Sequence, residues 1–407
     1  TTDLPSGTVD LSGSNKIITV TSQDGTTVNK YKVVIQVPEL VPSGELGYIS
    51  SLFGFQTLKT DTHGFTVSHN RSLAVVGDYL IVSADDGNMI VLDRYNGSNI
   101  DKTVNITGIS RKIFGITADD AQHLVAITYT NNSSLSTCEI WVWKDGLENA
   151  PTLLFSKDIL TDSYFSTLRG GNQPASYDIG RTISVKGNVL SGTAVIGTTS
   201  VAKYRNVFFI LKDGVPSTST ALVEFKGGTA SMWYCTKPVI IEASSTPTYV
   251  WGSGNSNRLI QYVNDSDNSY IQFSVPGSWW GGDIKGLAYV EFNGTKLLGI
   301  QNGYTSGTTD AYNRLVVTNI ANLAANSLTT GQVFDSRLTT KIPGAGYGVT
   351  GMTSGYPFTS GVTVLGANGN HTGDVCFGKS DDGNAVQVYM LTTDHGILAY
   401  EITRFKL

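Results

Sequence analysis

The sequence predicts an all-β protein: a β-propeller of six four-stranded blades with a short N-terminal β-hairpin segment ahead of it. Three observations carry this expectation. A strand–turn–strand pattern recurs about every 45–90 residues, the range of a propeller blade with insertions. Alternating β-branched and aromatic runs, bounded by Gly, Asn, Asp and Ser, dominate the 407 residues, and helical spacing is rare. Glycine is abundant at 45 residues while charged residues are only 15% of the chain, a composition suited to many tight turns.

The repeated hairpins are Tyr79–Asp85 with Met89–Arg94, Leu124–Thr130 with Cys138–Lys144, and Thr193–Thr198 with Val207–Lys212. They continue with Tyr249–Gly252 and Arg258–Val263, Leu297–Gln301 and Arg314–Asn319, and Ala385–Thr392 and Gly396–Thr403. Each supplies the two middle strands of one blade. Inner strands are expected at Ser72–Gly77, Lys112–Thr117, Thr182–Lys186, Lys237–Glu242, Gly286–Phe292 and Asp374–Lys379. Outer strands are expected at Thr103–Ile106, Leu153–Ser156, Ala221–Phe225, Tyr270–Val275 and Gln332–Asp335. The sixth hairpin has no outer strand after it. Propellers close by lending a terminal strand to the blade at the other end, and Leu52–Leu58 suits that role. Two further strand-like runs, Gly346–Met352 and Gly361–Ala367, would make either a seventh blade or a large insertion. Ile320–Leu328 is the one stretch with helical character.

Residues 1–44 stand apart as a hairpin and linker, and residues 45–407 form the propeller. Ile17–Ser22 and Tyr31–Val37 alternate around the turn QDGTT, and Pro38 and Pro42 then break the pattern. The stretch IITVTSQDGTTVNKYKVVIQV resembles the closing strands of small β-sandwich modules of bacterial secreted and surface proteins. At the other end, TGDVCFGKSDDGNAVQVYMLTTDHGILAYEI resembles the C-terminal blade of surface lipoproteins of gut Bacteroidetes, a family of unassigned activity that joins a small sandwich to a propeller. The resemblance implies a location on the extracellular side of the outer membrane, or secretion, and a link to glycan capture. It implies no catalytic residues. Contact with a membrane is expected only through a lipid anchor absent from this chain, since the opening TTDLPSG reads as a trimmed terminus.

Composition excludes several functions. A net charge of −5 without any Lys/Arg run argues against nucleic acid. No stretch of about 18 apolar residues is present to span a bilayer as a helix. Cys138, Cys235 and Cys376 are far apart and lack metal-ligand spacing, so they read as buried thiols. No nucleophile elbow, zinc-protease motif or phosphate loop occurs, and no cofactor is expected. NDSDN at 264–268 and the two DDG triplets read as turns, and His123 and His395 as solvated turn residues.

In an antiparallel blade, the connections between blades and those between the two middle strands emerge on one face. The remaining turns emerge on the other. The long connections, at 131–137, 157–180, 277–283, 302–313 and 337–370, all belong to the first face, which is therefore the expected binding surface. Trp279 and Trp280 lie there between glycines, and Trp233 and Tyr234 lie at another connection between blades. Tyr164 and Tyr177 share a connection with Asp162, Arg169, Asn172 and Asp178. Tyr304 and Asp283 complete the set. Flat rings suit the C–H face of a sugar, and amides, carboxylates and guanidinium groups suit its hydroxyls. Trp141 and Trp143 alternate in EIWVWKDG and are expected to pack against the next blade.

These features favour a noncatalytic surface protein that binds a glycan or a surface protein partner. A carbohydrate-active hydrolase or lyase would need two carboxylates at the channel mouth, with Asp162, Asp178, Asp283 and Asp310 the candidates. A structural protein-interaction module is the third reading.

Overall fold

The computed structural model describes residues 16–33, 39–56, 63–65, 69–84, 87–130, 136–165, 179–200, 205–217, 221–224, 237–252, 259–275, 283–306, 310–321, 328, 331–336, 372–394 and 396–406. It is a six-bladed β-propeller.

An N-terminal hairpin pairs β1 (Lys16–Thr21) with β2 (Val28–Val33). Its turn is set by Asp24, which accepts hydrogen bonds from Ser22 and Thr26, and these hold its carboxyl down at about pKa 2. Next comes β3 (Ile49–Gln56), then blade one with β4 (Asn70–Val76), β5 (Tyr79–Ala84) and β6 (Met89–Asp93). Blade two holds β7 (Ile113–Ala118), β8 (Leu124–Thr128), β9 (Thr137–Trp143) and β10 (Thr152–Asp158). Blade three holds β11 (Ser184–Lys186), β12 (Thr193–Ser200) and β13 (Arg205–Lys212), its outer position shared by β14 (Val215–Pro216) and β15 (Ala221–Glu224). Blade four holds β16 (Val239–Glu242), β17 (Thr248–Gly252), β18 (Leu259–Asn264) and β19 (Ser269–Ser274). Blade five holds β20 (Asp283–Phe292), β21 (Thr295–Ser306), β22 (Asp310–Asn319) and β23 (Gln332–Asp335). Blade six holds β24 (Gly373–Lys379), β25 (Ala385–Thr392) and β26 (Gly396–Thr403), with β3 as its outer strand.

The closing strand is the N-terminal segment, as expected, starting three residues earlier than the sequence suggests. Ile49 pairs with Ile402 and Gln56 with Gly396. Ahead of it, residues 39–48 strap the turn face opposite the long connections. Val41 N–H donates to Arg404 O, Gly47 N–H to Thr403 O, and the Asn293 amide to Pro42 O and Glu45 O.

The core explains why the middle strands read so clearly. Each is covered on both faces, so successive side chains enter two different cores. In β8, Leu124 and Ala126 pack towards blade one, while Val125 and Ile127 pack towards blade three. Among the described residues, six clusters of buried apolar side chains each lie between two successive blades. The cluster between blades six and one unites Tyr389 and Leu391 with Leu73 and Leu80, so the circle is closed. At about 1.5–3 kcal/mol for each buried aliphatic or aromatic side chain, these interfaces are the main source of stability.

Inner strands neighbour one another around the ring in chain order, and β24 lies beside both β20 and β4. A Cβ on Gly286 would come within 2.8 Å of the Asp374–Val375 backbone, so blade six sits directly against blade five. No room remains between them for a seventh blade. Gly346–Met352 and Gly361–Ala367 lie outside the described residues, as do 322–327 of the stretch with helical character and residue 395, where His395 was expected in a turn.

Three expectations need correction. Thr103–Ile106 is not a strand. Outside β6, Asn99 bridges to Leu92, Asp93 N–H donates to Ser98 O and Ile100 N–H donates to Val91 O, all ahead of residue 103. Asx turns at Asn99 and Asn105, and Asp101 at φ +52°, bend the chain away, and the Trp143 indole takes the Asn105 carbonyl at 2.7 Å. Trp141 and Trp143 pack against blade one, the preceding blade; their alternates Cys138, Ile140 and Val142 face blade three. His123 is held rather than solvated: its Nδ1 lies 3.0 Å from the buried Asp119 carboxylate, which also accepts from Val189 N–H of the next blade.

The buried acids predict an alkaline limit to stability. Burial raises the Cys138 thiol from 9.0 to about 12, and desolvation also raises the thiol of Cys376, which is half-buried rather than buried. Burial likewise raises the phenols of Tyr249, Tyr389 and Tyr400 above 10.0. In the unfolded chain these groups would ionise at their ordinary values. Stability is therefore full below pH 9 and falls as the pH climbs through the unfolded thiol and phenol values towards the folded ones. Melts at increasing pH are expected to hold steady to about pH 9 and then drop steeply. Cys138 and Cys376 should resist iodoacetamide at pH 8 until denaturant is added, read by mass spectrometry of each peptide.

Candidate functional site at the channel mouth

Every inner strand starts at the long-connection face, so its first residues ring the channel mouth. Three of these strands carry a β-bulge at that point, which re-aims one side chain. The displaced residues are Arg71 in β4, Phe114 in β7 and Lys285 in β20. Arg181 and Lys237 stand just ahead of β11 and β16. Basic residues of blades one, three, four and five thus stand at or just before the starts of their inner strands, although the whole chain is acidic.

Below them the channel is bridged by a buried ion pair. Lys237 Nζ donates to Asp374 Oδ1 at 2.5 Å, with side-chain exposures of 8% and 5%. Lys237 belongs to blade four and Asp374 to blade six, so the pair runs across the channel rather than between neighbours. Asp374 also accepts from Ser72 Oγ (2.7 Å), Leu73 N–H (2.9 Å) and Val375 N–H (2.8 Å). Ile116 N–H donates to Ser72 Oγ at 3.2 Å, extending the belt to blade two. A carboxylate holding four donors is a fixed acceptor, with its lone pairs committed to the fold.

On the blade-two side the mouth is aromatic. Phe114 and Tyr129 stack with centroids 4.6 Å apart. The Arg71 guanidinium lies 5.0 Å from the Phe114 centroid, and the Arg181 guanidinium 5.6 Å from Phe114 and 4.9 Å from Tyr129. Arg181 Nη2 donates to the Tyr129 hydroxyl at 3.3 Å, and Arg71 Nη1 donates to Thr372 Oγ1 at 3.3 Å. The buried Asp394 faces His69, accepting from its backbone N–H, with the His69 ring 3.4 Å away. The Phe55 ring and the Gly97 carbonyl hold His63 at the rim between blades six and one.

The structure places the sequence-predicted residues unevenly. Trp279, Trp280, Trp233, Tyr234, Tyr177, Arg169, Asn172 and Asp178 lie outside the described residues. Tyr164 falls in one turn of 3-10 helix (Ser163–Phe165), Asp283 opens β20 opposite Gly303, and Tyr304 pairs with Tyr312, but their side chains are outside the described set. The 302–313 connection is therefore a projecting hairpin rather than a loop, because the ladder of blade five continues to Ser306–Asp310. Asp162 is described, and Lys157 Nζ lies 3.4 Å from its carboxylate. Of the four expected carboxylates, only Asp162 has a described side chain.

Sequence reasoning missed the cations of the mouth. Their signal was a basic residue recurring at or just before the start of the inner strand: Arg71, Lys112, Arg181, Lys237 and Lys285.

Comparison with known proteins agrees on the architecture. A DUF4623 family protein from Bacteroides eggerthii has a similar structure, with a TM-score of 0.60 at 12% identity over 97% of this chain and 84% of that one. The shared feature is the fold. The mitotic checkpoint complex also matches, at a TM-score of 0.40 and 11% identity, over 91% of this chain and 98% of that one. No family model and no curated protein matches the sequence.

Proposed function

We propose that this protein is a noncatalytic binding protein of the cell surface that captures a glycan on the long-connection face of its propeller. The observation that carries the reading is the asymmetry of the two faces. One is strapped by residues 39–48 and closed by short turns such as Val76–Tyr79 and Phe292–Thr295. The other gathers the long connections and the channel mouth. An anchor upstream of β1 would hold the strapped face towards the membrane and present the mouth outwards, which suits capture of an external ligand.

The test is a glycan screen with the intact protein, followed by Trp279→Ala and Trp280→Ala. The expected result is retention by at least one polysaccharide, with affinity reduced by about tenfold or more in one of the two variants, as for loss of a stacking ring, and an unchanged melting temperature. If no polysaccharide is retained, the glycan reading fails.

A further inference from the structure

We infer that Asn293–Gly294, on the strapped face, is a site of spontaneous deamidation whose product releases the 39–48 strap. The two residues form the tight turn between β20 and β21, with Phe292 opposite Thr295. Asn293 at φ +46° and Gly294 at φ +76° are both left-handed, as a two-residue hairpin turn of this kind requires. The strap is tied to blade five at this turn. Asn293 Nδ2 donates to Pro42 O at 2.7 Å and to Glu45 O at 2.8 Å, and the Asn293 carbonyl accepts from Gly44 N–H at 2.6 Å. The contact is close: a Cβ on Gly294 would stand 2.5 Å from Ser43 Oγ and 3.1 Å from Gly44 N. At its other end the strap pairs with the C-terminal residues, Val41 N–H donating to Arg404 O and Lys406 N–H to Glu39 O.

Asparagine before glycine is the pair in which backbone attack on the side chain is least hindered, because glycine has no side chain and the widest backbone freedom. The Gly294 nitrogen attacks Cγ of Asn293 and forms the new C–N bond. The side-chain amide leaves as ammonia, taking the Gly294 proton. Water then opens the succinimide at either carbonyl, giving aspartate or isoaspartate. In the other two Asn–Gly pairs of the described residues the glycine is held. Gly97 N–H donates to Asp93 O at 2.9 Å, and Gly303 is paired on both sides of its ladder, with Asp283 and Asn313. Among the described residues, no hydrogen bond engages the Gly294 N–H.

The strap sets the timing. While both donors of Asn293 rest on strap carbonyls, conversion waits for the strap to lift. The carboxylate that replaces the amide has no hydrogen to donate, and it faces two acceptors, Pro42 O and Glu45 O. The two bonds then cannot re-form, so release runs one way. β3 stays paired with β26 and the ring stays closed. The strap lies between β2 and β3 in the chain. Once free and extended it spans about 33 Å, which lengthens the reach of the propeller from whatever holds its N-terminal side.

Limited proteolysis with a glutamate-specific protease reads the strap, which carries Glu39 and Glu45. The proteins are wild type, Asn293→Asp and Asn96→Asp. Asn96 is the matched control, because its Oδ1 accepts from Ser98 N–H and aspartate keeps that bond. Asn293→Asp is expected to be cut in the strap about tenfold or more faster than wild type, as for the loss of two hydrogen bonds. Asn96→Asp should be cut at the wild-type rate. Equal cutting of wild type and Asn293→Asp overturns the release. Should Asn293→Asp not fold, Asn293→Gly, which suits the left-handed turn and lacks the amide, takes its place with the same expectation. Wild type is also aged at mildly alkaline pH, folded and in denaturant, and peptide mapping reads the mass gain of exchanging amide for carboxyl at Asn293. Conversion is expected in both, about tenfold slower in the folded protein, with strap cleavage concentrated in the converted molecules. A folded protein without conversion once the denatured one has converted fully overturns the modification site. Converted molecules whose strap resists the protease as wild type does overturn the one-way release.

Discussion

Asp374→Ala is expected to lose about 3–5 kcal/mol of stability, the cost of leaving a buried cation without its partner. For a chain of 407 residues, that corresponds to a fall of roughly 4–6 °C in melting temperature. The effect is large because one carboxylate serves four donors at once. Its loss takes the charge partner from Lys237 and an acceptor from Ser72 and two backbone amides, in a region shielded from water. The double variant Lys237→Met with Asp374→Leu separates charge from packing. Replacing a buried pair by apolar groups of similar size is often close to neutral, so the double variant should recover most of the loss. A single variant within about 1 kcal/mol of wild type, a value typical of exposed pairs, would show that water reaches the channel and that the belt does not close it.

Deleting residues 1–56 is expected to abolish the native fold, whereas deleting residues 1–38 is expected to leave it intact. The difference lies in β3. Its removal bares the edge of β26, where Ile397, Leu398, Ala399, Tyr400 and Ile402 are all buried. It also takes Ile49, Leu52, Phe53 and Phe55 out of the two interfaces that blade six makes. An open, apolar strand edge is a template for aggregation, and the interfaces lose several side chains worth about 1.5–3 kcal/mol each when buried. Among the described residues, the hairpin of β1 and β2 pairs only with itself. Size-exclusion chromatography and limited proteolysis read the outcome. A monodisperse, protease-resistant protein lacking residues 1–56 would mean that closure of the ring contributes little.

Much of this architecture is legible in the sequence because the physics is local. A strand buried on both faces reads as a continuous apolar run, so LVAIT and AVQVYMLT announce the middle strands directly. The outer strands survive as alternating patterns, and Gln332–Asp335 is found with the bounds expected. TVNI of blade one misleads because its alternation is overruled by the Asn99 and Asn105 turns and by the Trp143 indole, which comes from another blade. The bulges at Arg71, Phe114 and Lys285 are not legible, since a bulge depends on the register of the partner strand. Nor is the Lys237–Asp374 pair, whose members are 137 residues apart and meet only when the ring closes. The aromatic residues chosen from sequence mostly fall outside the described residues. The mouth was instead identified by cations whose alignment emerges once the inner strands stand side by side.

The central claim is that ligand binds at the mouth formed by the starts of the inner strands. Amide hydrogen exchange with and without the retained polymer tests it most directly. The account predicts slowed exchange at residues 69–73, 113–115 and 181–184, with no change at turns 292–295 and 380–384. Slowed exchange at those turns or in the 39–48 strap, with the inner-strand starts unaffected, would contradict it.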